Sequence, residues 1–445
     1  MIDFPSDADV ESALPVSDHS WLRQYVVHGF LRLPTPAIYH LATGLSVLAA
    51  TAPYRLRVGE HNFLRPVAPN LYSLVVGGSG AQKTLALLLG RDLLKAACPD
   101  LVSAEPGSEE ALVASTGAQP VQWIMLQEFG AFLQATTGGS YREGLRKALT
   151  GAYEGEINDR NLKKGKVLTR DPQISMLCAC TPVDLQNYTA AIDWEGGFLS
   201  RFFLAGGVRT RTQHLPVLDQ ARADWLLGWL YHVGRSSTVG ACTGFTPAAR
   251  DLWTAFNDEI EALRQASPER SSGVIGRTIL QAAKVSALLA WDYGPMRRGE
   301  PWAMDLDVLH PAIAIARLHL KTALALIPSI APTQEARELQ EVLSSVPIET
   351  WISEAELLRR VPIQVRRLRS ALGTLKARLQ VEAVQQGAHA FWRQTPQAEL
   401  PAFDPDLQAA PPPPPAAPPP GPDTSPPGQV IPLPWVMASS GAGGA

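Results

Sequence analysis

The chain has 445 residues, 46% of them hydrophobic and 18% charged, with a formal net charge of −3. That length exceeds one ordinary domain and predicts two or three, with enough apolar residues for a sizeable core. A near-neutral balance excludes a globally basic protein that coats nucleic acid, while leaving room for a local basic surface.

In chain order, the acidic start MIDFPSDADVESALP lacks the basic-then-apolar layout of a signal peptide. Residues 1–66 read as a mostly helical region, with apolar residues at helical spacing over 21–30 and 38–50. The most apolar window, 36–52, contains His40, Thr43, Gly44 and Ser46 and reads as a buried helix rather than a membrane span. A soluble protein with no membrane contact is expected. From residue 67 short apolar runs alternate with turns and helices. Strands are expected at 71–76, 121–126, 174–180 and 202–205, a helix at 83–97, and a helix start at Ser108, where Glu109 and Glu110 fill the first turn. This alternation predicts an α/β core over 67–212 with a mostly parallel sheet covered on both faces.

Residues 213–330 turn helical again, at 249–264, 275–291 and 311–327. A smaller unit over 333–395 follows. It has helices at 333–345, 353–360 and 364–377, then a hairpin of 379–384 and 388–393 about a Gln-Gln-Gly turn, the outline of a winged helix. Residues 396–445, centred on PPPPPAAPPPGP, cannot bury a core and are expected to be disordered with polyproline II character. Of the four cysteines, Cys98, Cys178, Cys180 and Cys242, only Cys178 and Cys180 lie close together, and their apolar run makes them small core residues. With no disulfide framework, a reducing cytoplasm is the expected compartment.

The stretch VVGGSGAQKTLALLLG nearly spells a phosphate-binding loop, G-x-x-x-x-G-K-[ST]. Gly77, Lys83 and Thr84 stand in register, and Gln82 takes the second glycine's place. Such a loop surrounds phosphates with backbone N–H groups and a helix N-terminus, while its lysine adds charge and its hydroxyl holds Mg²⁺. Gly77, Gly78, Ser79, Gly80, Ala81, Gln82, Lys83 and Thr84 are therefore candidate contacts for ATP and Mg²⁺. At a position already entering the helix, Gln82 is expected to be tolerated without a positive φ. An ATPase also needs an acid at the end of a neighbouring strand. VQWIMLQEFGAFL supplies Glu128 as candidate general base, preceded by neutral Gln127, which can reach the metal only through a bound water. The third strand ends in Thr181, a polar group beside the expected γ-phosphate. Arg201, set among apolar residues in GGFLSRFF, needs a partner: an internal carboxylate or, as an arginine finger, a neighbouring subunit's phosphate.

Taken together, YHLATGLS from Tyr39, PNLYSLVVGGSGAQKT, IMLQEFG, TPVDL and GFLSRFF resemble a family of plasmid- and prophage-borne primase–helicase-like P-loop proteins, long catalogued as a domain of unknown function. The resemblance covers roughly residues 30–325. It implies an AAA+ or RecA-like P-loop core, ATP and Mg²⁺ as cofactors, and functional roles on Lys83, Thr84, Glu128 and Arg201. It also gives meaning to NLKKGKVLTR. Helicases resembling replicative minichromosome-maintenance rings carry a lysine-tipped hairpin at this place, and here Lys163, Lys164 and Lys166 surround Gly165 as the expected tip. Such lysines would bind DNA phosphates without reading sequence; a solvated basic turn is the alternative. Arg277 and Lys284 on a striped helix resemble the AAA+ lid, where such an arginine senses nucleotide, or else form a structural ion pair.

Arginines concentrate in RRVPIQVRRLRSALGTLKAR, with Arg366, Arg367 and Arg369 on one expected helix. This is a candidate duplex- or fork-binding face, or a surface for protein. The proline tail, with Trp435, is either a docking segment for a replication partner or a segment with no contact. The expectation drawn from these features is an ATP-dependent DNA helicase or translocase of a mobile element, working as a homo-oligomeric ring such as a hexamer. The alternatives are a replication initiator whose ATP site has decayed and an ATPase switch that remodels protein or serves defence.

Overall fold

Strands buried on both faces must be apolar along their whole length, and helices must cover both faces. The computed structural model follows that rule. It describes residues 3–394 except 55, 59–66, 137–142, 157–159, 163–164, 168–170, 190–192, 195–196, 210, 213–215, 234–241, 294–301, 331–340, 349, 362, 378–380 and 387–388. The proline tail lies outside the described residues.

Three helices open the chain: α1 (Asp7–Ala13), α2 (Trp21–Arg32) and α3 (Ala37–Thr51). The sheet region follows with β1 (Tyr72–Val76), α4 (Lys83–Ala97), β2 (Val102–Ser103), α5 (Glu109–Ala118), β3 (Val121–Leu126), α6 (Phe129–Ala135), α7 (Glu143–Tyr153), β4 (Arg160–Leu162), β5 (Gly165–Val167), β6 (Gln173–Cys180), α8 (Pro182–Tyr188) and β7 (Phe202–Gly206). Next come α9 (Gln220–Val233), β8 (Cys242–Phe245), α10 (Pro247–Ala266), α11 (Glu269–Tyr293), β9 (Trp302–Met304) and α12 (Leu306–Ile330). The last unit comprises β10 (Ile352–Ser353), α13 (Glu354–Arg360), α14 (Val365–Ala377), β11 (Val381–Gln386) and β12 (His389–Gln394).

Five strands form one parallel sheet in the order β2-β3-β6-β1-β7. Side chains alternate between its faces, as a period of two requires. Leu71, Val75, Leu177, Ala179, Phe203 and Ala205 face the core under α3 and α4. Tyr72, Leu74, Val76, Met176, Cys178, Phe202 and Leu204 face the core under α6, α7 and α8. The chain leaves β1 toward β2 on one side and leaves β6 toward β7 on the other, so the carboxyl ends of β1 and β6 form a topological switch point, where open α/β sheets place their ligands.

Every residue of α3 is buried. It lies on the sheet, and Ser46 accepts from Trp123 Nε1 at 2.9 Å. The N-terminal helices and the helices after the sheet share one core with it, reaching from Val10 to Leu320. Asp292 on α11 caps the start of α2, accepting from the Ser20 hydroxyl (2.6 Å) and the Trp21 and Leu22 amides (2.7 and 3.2 Å). α12 covers the free edge of β7: His319 Nδ1 accepts from the Leu204 amide at 2.8 Å, and the Thr322 hydroxyl accepts from Gly206 at 3.3 Å. These bonds meet amides that would otherwise be buried unpaired. Among the described residues one helical stretch, Ser271–Tyr293, is long and apolar enough to cross a membrane, and 72% of its apolar window is buried inside the fold.

Several boundaries differ from the sequence reading. β2 is too short to show periodicity. α12 starts before Pro311 because Asp305 caps it, its Oδ1 accepting from the Val308 amide at 3.2 Å. The C-terminal unit has its own apolar cluster and a three-stranded antiparallel sheet, β10-β12-β11. Both glutamines of the expected Gln-Gln-Gly turn lie in β11, because Gln385 pairs with Ala390 and Gln386 with His389.

His40 and His319 are fully buried, and desolvation lowers the pKa of each to about 3. Both stay neutral in the fold, while the unfolded chain binds protons below about pH 6.5. The stability they confer is therefore present above pH 6.5 and lost as pH falls, by about 2 kcal/mol per histidine at pH 5. Thermal unfolding at pH 7 and pH 5 checks this: the midpoint drops with acid, and His319→Asn flattens the dependence.

Candidate functional site

β1 ends at Val76, and the backbone then turns through Gly77–Gln82 into α4. The Gly77 amide donates to Cys180 O at 3.3 Å, fixing the loop to the end of β6. Tyr39 on α3 locks the other side, its hydroxyl lying 3.1 Å from Val76 O and 2.8 Å from Gly207 O. A Cβ on Gly77 would come within 2.0 Å of that hydroxyl, so close approach demands glycine there. Gly78, Ser79 and Gly80 are exposed, and Ala81 is buried. Gly80 has φ +80°.

Gln82 corrects the sequence reading. Its φ and ψ are 57° and 29°, in the left-handed region. The slot does call for glycine's freedom, and glutamine there costs about 1–2 kcal/mol. Its Oε1 is also buried without a hydrogen-bond partner.

Lys83 is half-buried, and its ammonium donates to Gly77 O (2.9 Å) and Gly78 O (3.0 Å). Desolvation lowers its pKa, while Cys180, Asp184 and Glu128 oppose the shift. Both carboxylates are thus near enough to act on it. Glu128 is exposed at the N-cap of α6, and Gln127 before it is half-buried. β6 lies between β1 and β3, so Glu128 stands one strand further from the loop than an adjacent-strand acid would. The half-buried Thr84 follows Lys83 in the first turn of α4, whose leading amides have no intrahelical partner.

Asp184 was missed as a charge in the sequence reading, although TPVDL contains it. Thr181 and Asp184 form a capping box at the start of α8. Asp184 Oδ2 accepts from the Thr181 amide (3.0 Å) and hydroxyl (2.8 Å), so that hydroxyl is committed to the cap. A Cβ on Gly130 would meet Asp184 Cβ at 2.8 Å, which places Asp184 against the helix that Glu128 begins.

Arg201 and Arg277 gather at the other end of the sheet. Arg201 precedes Phe202, which pairs with Tyr72, the first residue of β1. One strand length, roughly 16 Å for five residues, separates that end from the loop. Arg201 is buried and pairs with Glu154 Oε1 at 3.3 Å; Arg277 Nη1 reaches the same oxygen at 3.1 Å. Burial lowers the pKa of Arg201, followed by repulsion from Arg277, and Glu154 opposes both. Lys284, fully buried beside them, donates to Asn70 O (2.8 Å) and Asn70 Oδ1 (2.7 Å) and lies 3.8 Å over the Tyr153 ring. Desolvation brings its pKa down to about 7. Within one chain, neither Arg201 nor Arg277 joins Lys83.

Lys163 and Lys164 lie outside the described residues. Leu162 pairs with Gly165 where β4 and β5 run antiparallel, so Gly165 belongs to a strand and not to the tip expected from the sequence. Lys166 is on β5, its backbone paired with Asn161. On α14, Arg366 and Arg367 are exposed, and Arg369 pairs with Glu354 at 2.6 Å. No protein-family model and no curated protein sequence matches the chain.

Replacing Glu154 by glutamine leaves Arg201 and Arg277 facing each other without their shared charge. Because Glu154 is partly exposed, the expected loss is roughly 1–2 kcal/mol. It is read as a lower urea midpoint with unchanged slope.

Proposed function

We propose that the chain is a P-loop ATPase of AAA+ or closely related type that acts on DNA, as a ring-forming helicase or translocase of a mobile element. The observation that carries this reading is the charge arrangement at the carboxyl ends of β1, β3 and β6. Lys83 opens a helix after a glycine-rich loop, with Glu128 and Asp184 close enough to act on its ammonium. The residues fit a magnesium nucleotide. The Thr84 hydroxyl and the two carboxylates are hard oxygen donors of the kind Mg²⁺ takes alongside phosphate oxygens. When bound, the metal would neutralise charge developing on the phosphates.

In this reading Lys83 exchanges its carbonyl partners Gly77 and Gly78 for phosphate oxygens, and the first amides of α4 point at the same anion. Glu128 accepts a proton from the attacking water. Asp184 supplies the second negative charge that Gln127 cannot, and it orients α8 toward the site. Arg201 would act only across a subunit interface, since its own loop lies at the far end of the sheet. DNA contacts are assigned to Lys163, Lys164 and Lys166 of the β4–β5 hairpin. The C-terminal unit, read as a winged helix, offers Arg366 and Arg367 as a second surface, with Arg369 tied to Glu354.

A second reading, an initiator that binds DNA without hydrolysing ATP, draws on the left-handed Gln82 and the neutral Gln127. ATP turnover by the full chain, with and without single-stranded DNA, separates the two. The helicase reading expects turnover that rises with DNA, falls about a hundredfold or more in Lys83→Ala, and drops in Asp184→Asn. Intact DNA binding with no turnover under any condition would transfer the assignment to the initiator.

A further inference from the structure

A cavity of about 280 Å³ abuts the phosphate loop. Its walls include Arg32, Leu33, Pro34, Gln82, Leu85 and Arg209. They come from three segments: the end of α2 and the residues after it, the first turn of α4, and the chain leaving β7. Leu33, Pro34 and Leu85 offer flat apolar surface. Arg32 and Arg209 carry planar guanidinium groups, which stack on aromatic rings. The one carboxamide in this wall belongs to Gln82, the residue immediately before Lys83. The cavity thus lies beside the loop that would hold phosphates, within reach of a group joined to them.

Two unfavourable features coincide at Gln82. It holds a left-handed backbone, and its Oε1 is buried without a partner. Glycine would remove both. A residue that breaks two local rules where it lines a cavity points to a use for its side chain. The terminal amide torsion of glutamine is broad, so rotation can present Oε1 and Nε2 together. That acceptor–donor pair complements the N6 amino group and N7 of adenine; guanine offers two acceptors, O6 and N7, and satisfies only half of it.

We propose that Gln82 is the specificity-determining residue for the nucleoside half of a nucleoside triphosphate, its carboxamide reading the adenine edge within this cavity. The proposal rests on the nucleotide-binding reading above and adds to it the reason a glutamine stands in a glycine slot.

Isothermal titration of the full chain with Mg²⁺ and, separately, ATP, GTP and tripolyphosphate tests it. Wild type should bind ATP about tenfold or more tighter than GTP and tripolyphosphate. Gln82→Gly, which relieves the backbone, and Gln82→Leu, which keeps the strain and removes the amide, should both bring ATP and GTP within about twofold of each other. Tripolyphosphate affinity should change less than the ATP-to-GTP ratio in both. An ATP-to-GTP ratio unaltered in either folded variant overturns the proposal, as does wild type that binds tripolyphosphate as tightly as ATP; both results spare the P-loop reading. Wild type that binds none of the three ligands overturns the nucleotide reading itself and this inference with it.

Discussion

The arrangement depends on one requirement: a parallel sheet has no face that can be left to water. β1 is buried at all five positions and β6 at all eight. Each large aliphatic or aromatic side chain they bury contributes roughly 1.5–3 kcal/mol. α3 meets that requirement on one face and is itself buried all round, so further helices must cover it. Residues of α2, α11 and α12 accordingly share its core. The same requirement places every strand's carboxyl end on one side, where the loop after β1, the acid after β3 and the cap after β6 come together.

The local cost at Gln82 is small beside that burial. About 1–2 kcal/mol of left-handed strain is outweighed by one or two core side chains, so the sheet holds the loop in shape whatever residue fills the slot. Tyr39 adds to this by binding Val76 O and Gly207 O together. It ties the loop strand to the edge strand from a helix already fixed in the core. A near-miss in the motif therefore says little about whether the loop is formed; it bears on what the side chain in the slot does.

Much of this was legible in the sequence. The strands of the sheet are continuous apolar runs, and β3 and α4 begin and end where composition places them, as does the Ser108 cap. The strand after Pro99 escaped because two residues carry no period. Asp184 escaped because a capping aspartate looks structural until the fold brings it beside Glu128. Glu154 escaped for a different reason. Its partners Arg201 and Arg277 are distant in sequence, and pairing across 47 and 123 positions leaves no local pattern. The left-handed slot escaped because glutamine there argues against a positive φ, and only the turn from β1 into α4 imposes it.

The two charged clusters differ in how their cations are held, and this separates their roles. At the loop, among the described residues, Lys83 is bound by backbone carbonyls, which an anion can replace without leaving a carboxylate buried alone. At the far end, Arg201 is buried against a carboxylate that Arg277 also uses, and Lys284 is sealed under Tyr153. Removing Arg201 from Glu154 would leave Glu154 to Arg277 alone and would require a new anion to receive the arginine. Under the proposed nucleotide-binding reading, a phosphate at Lys83 would displace those carbonyl contacts. Under the same proposal, Arg201 would receive a phosphate where an incoming subunit brings both the phosphate and enough interface to offset the broken pair.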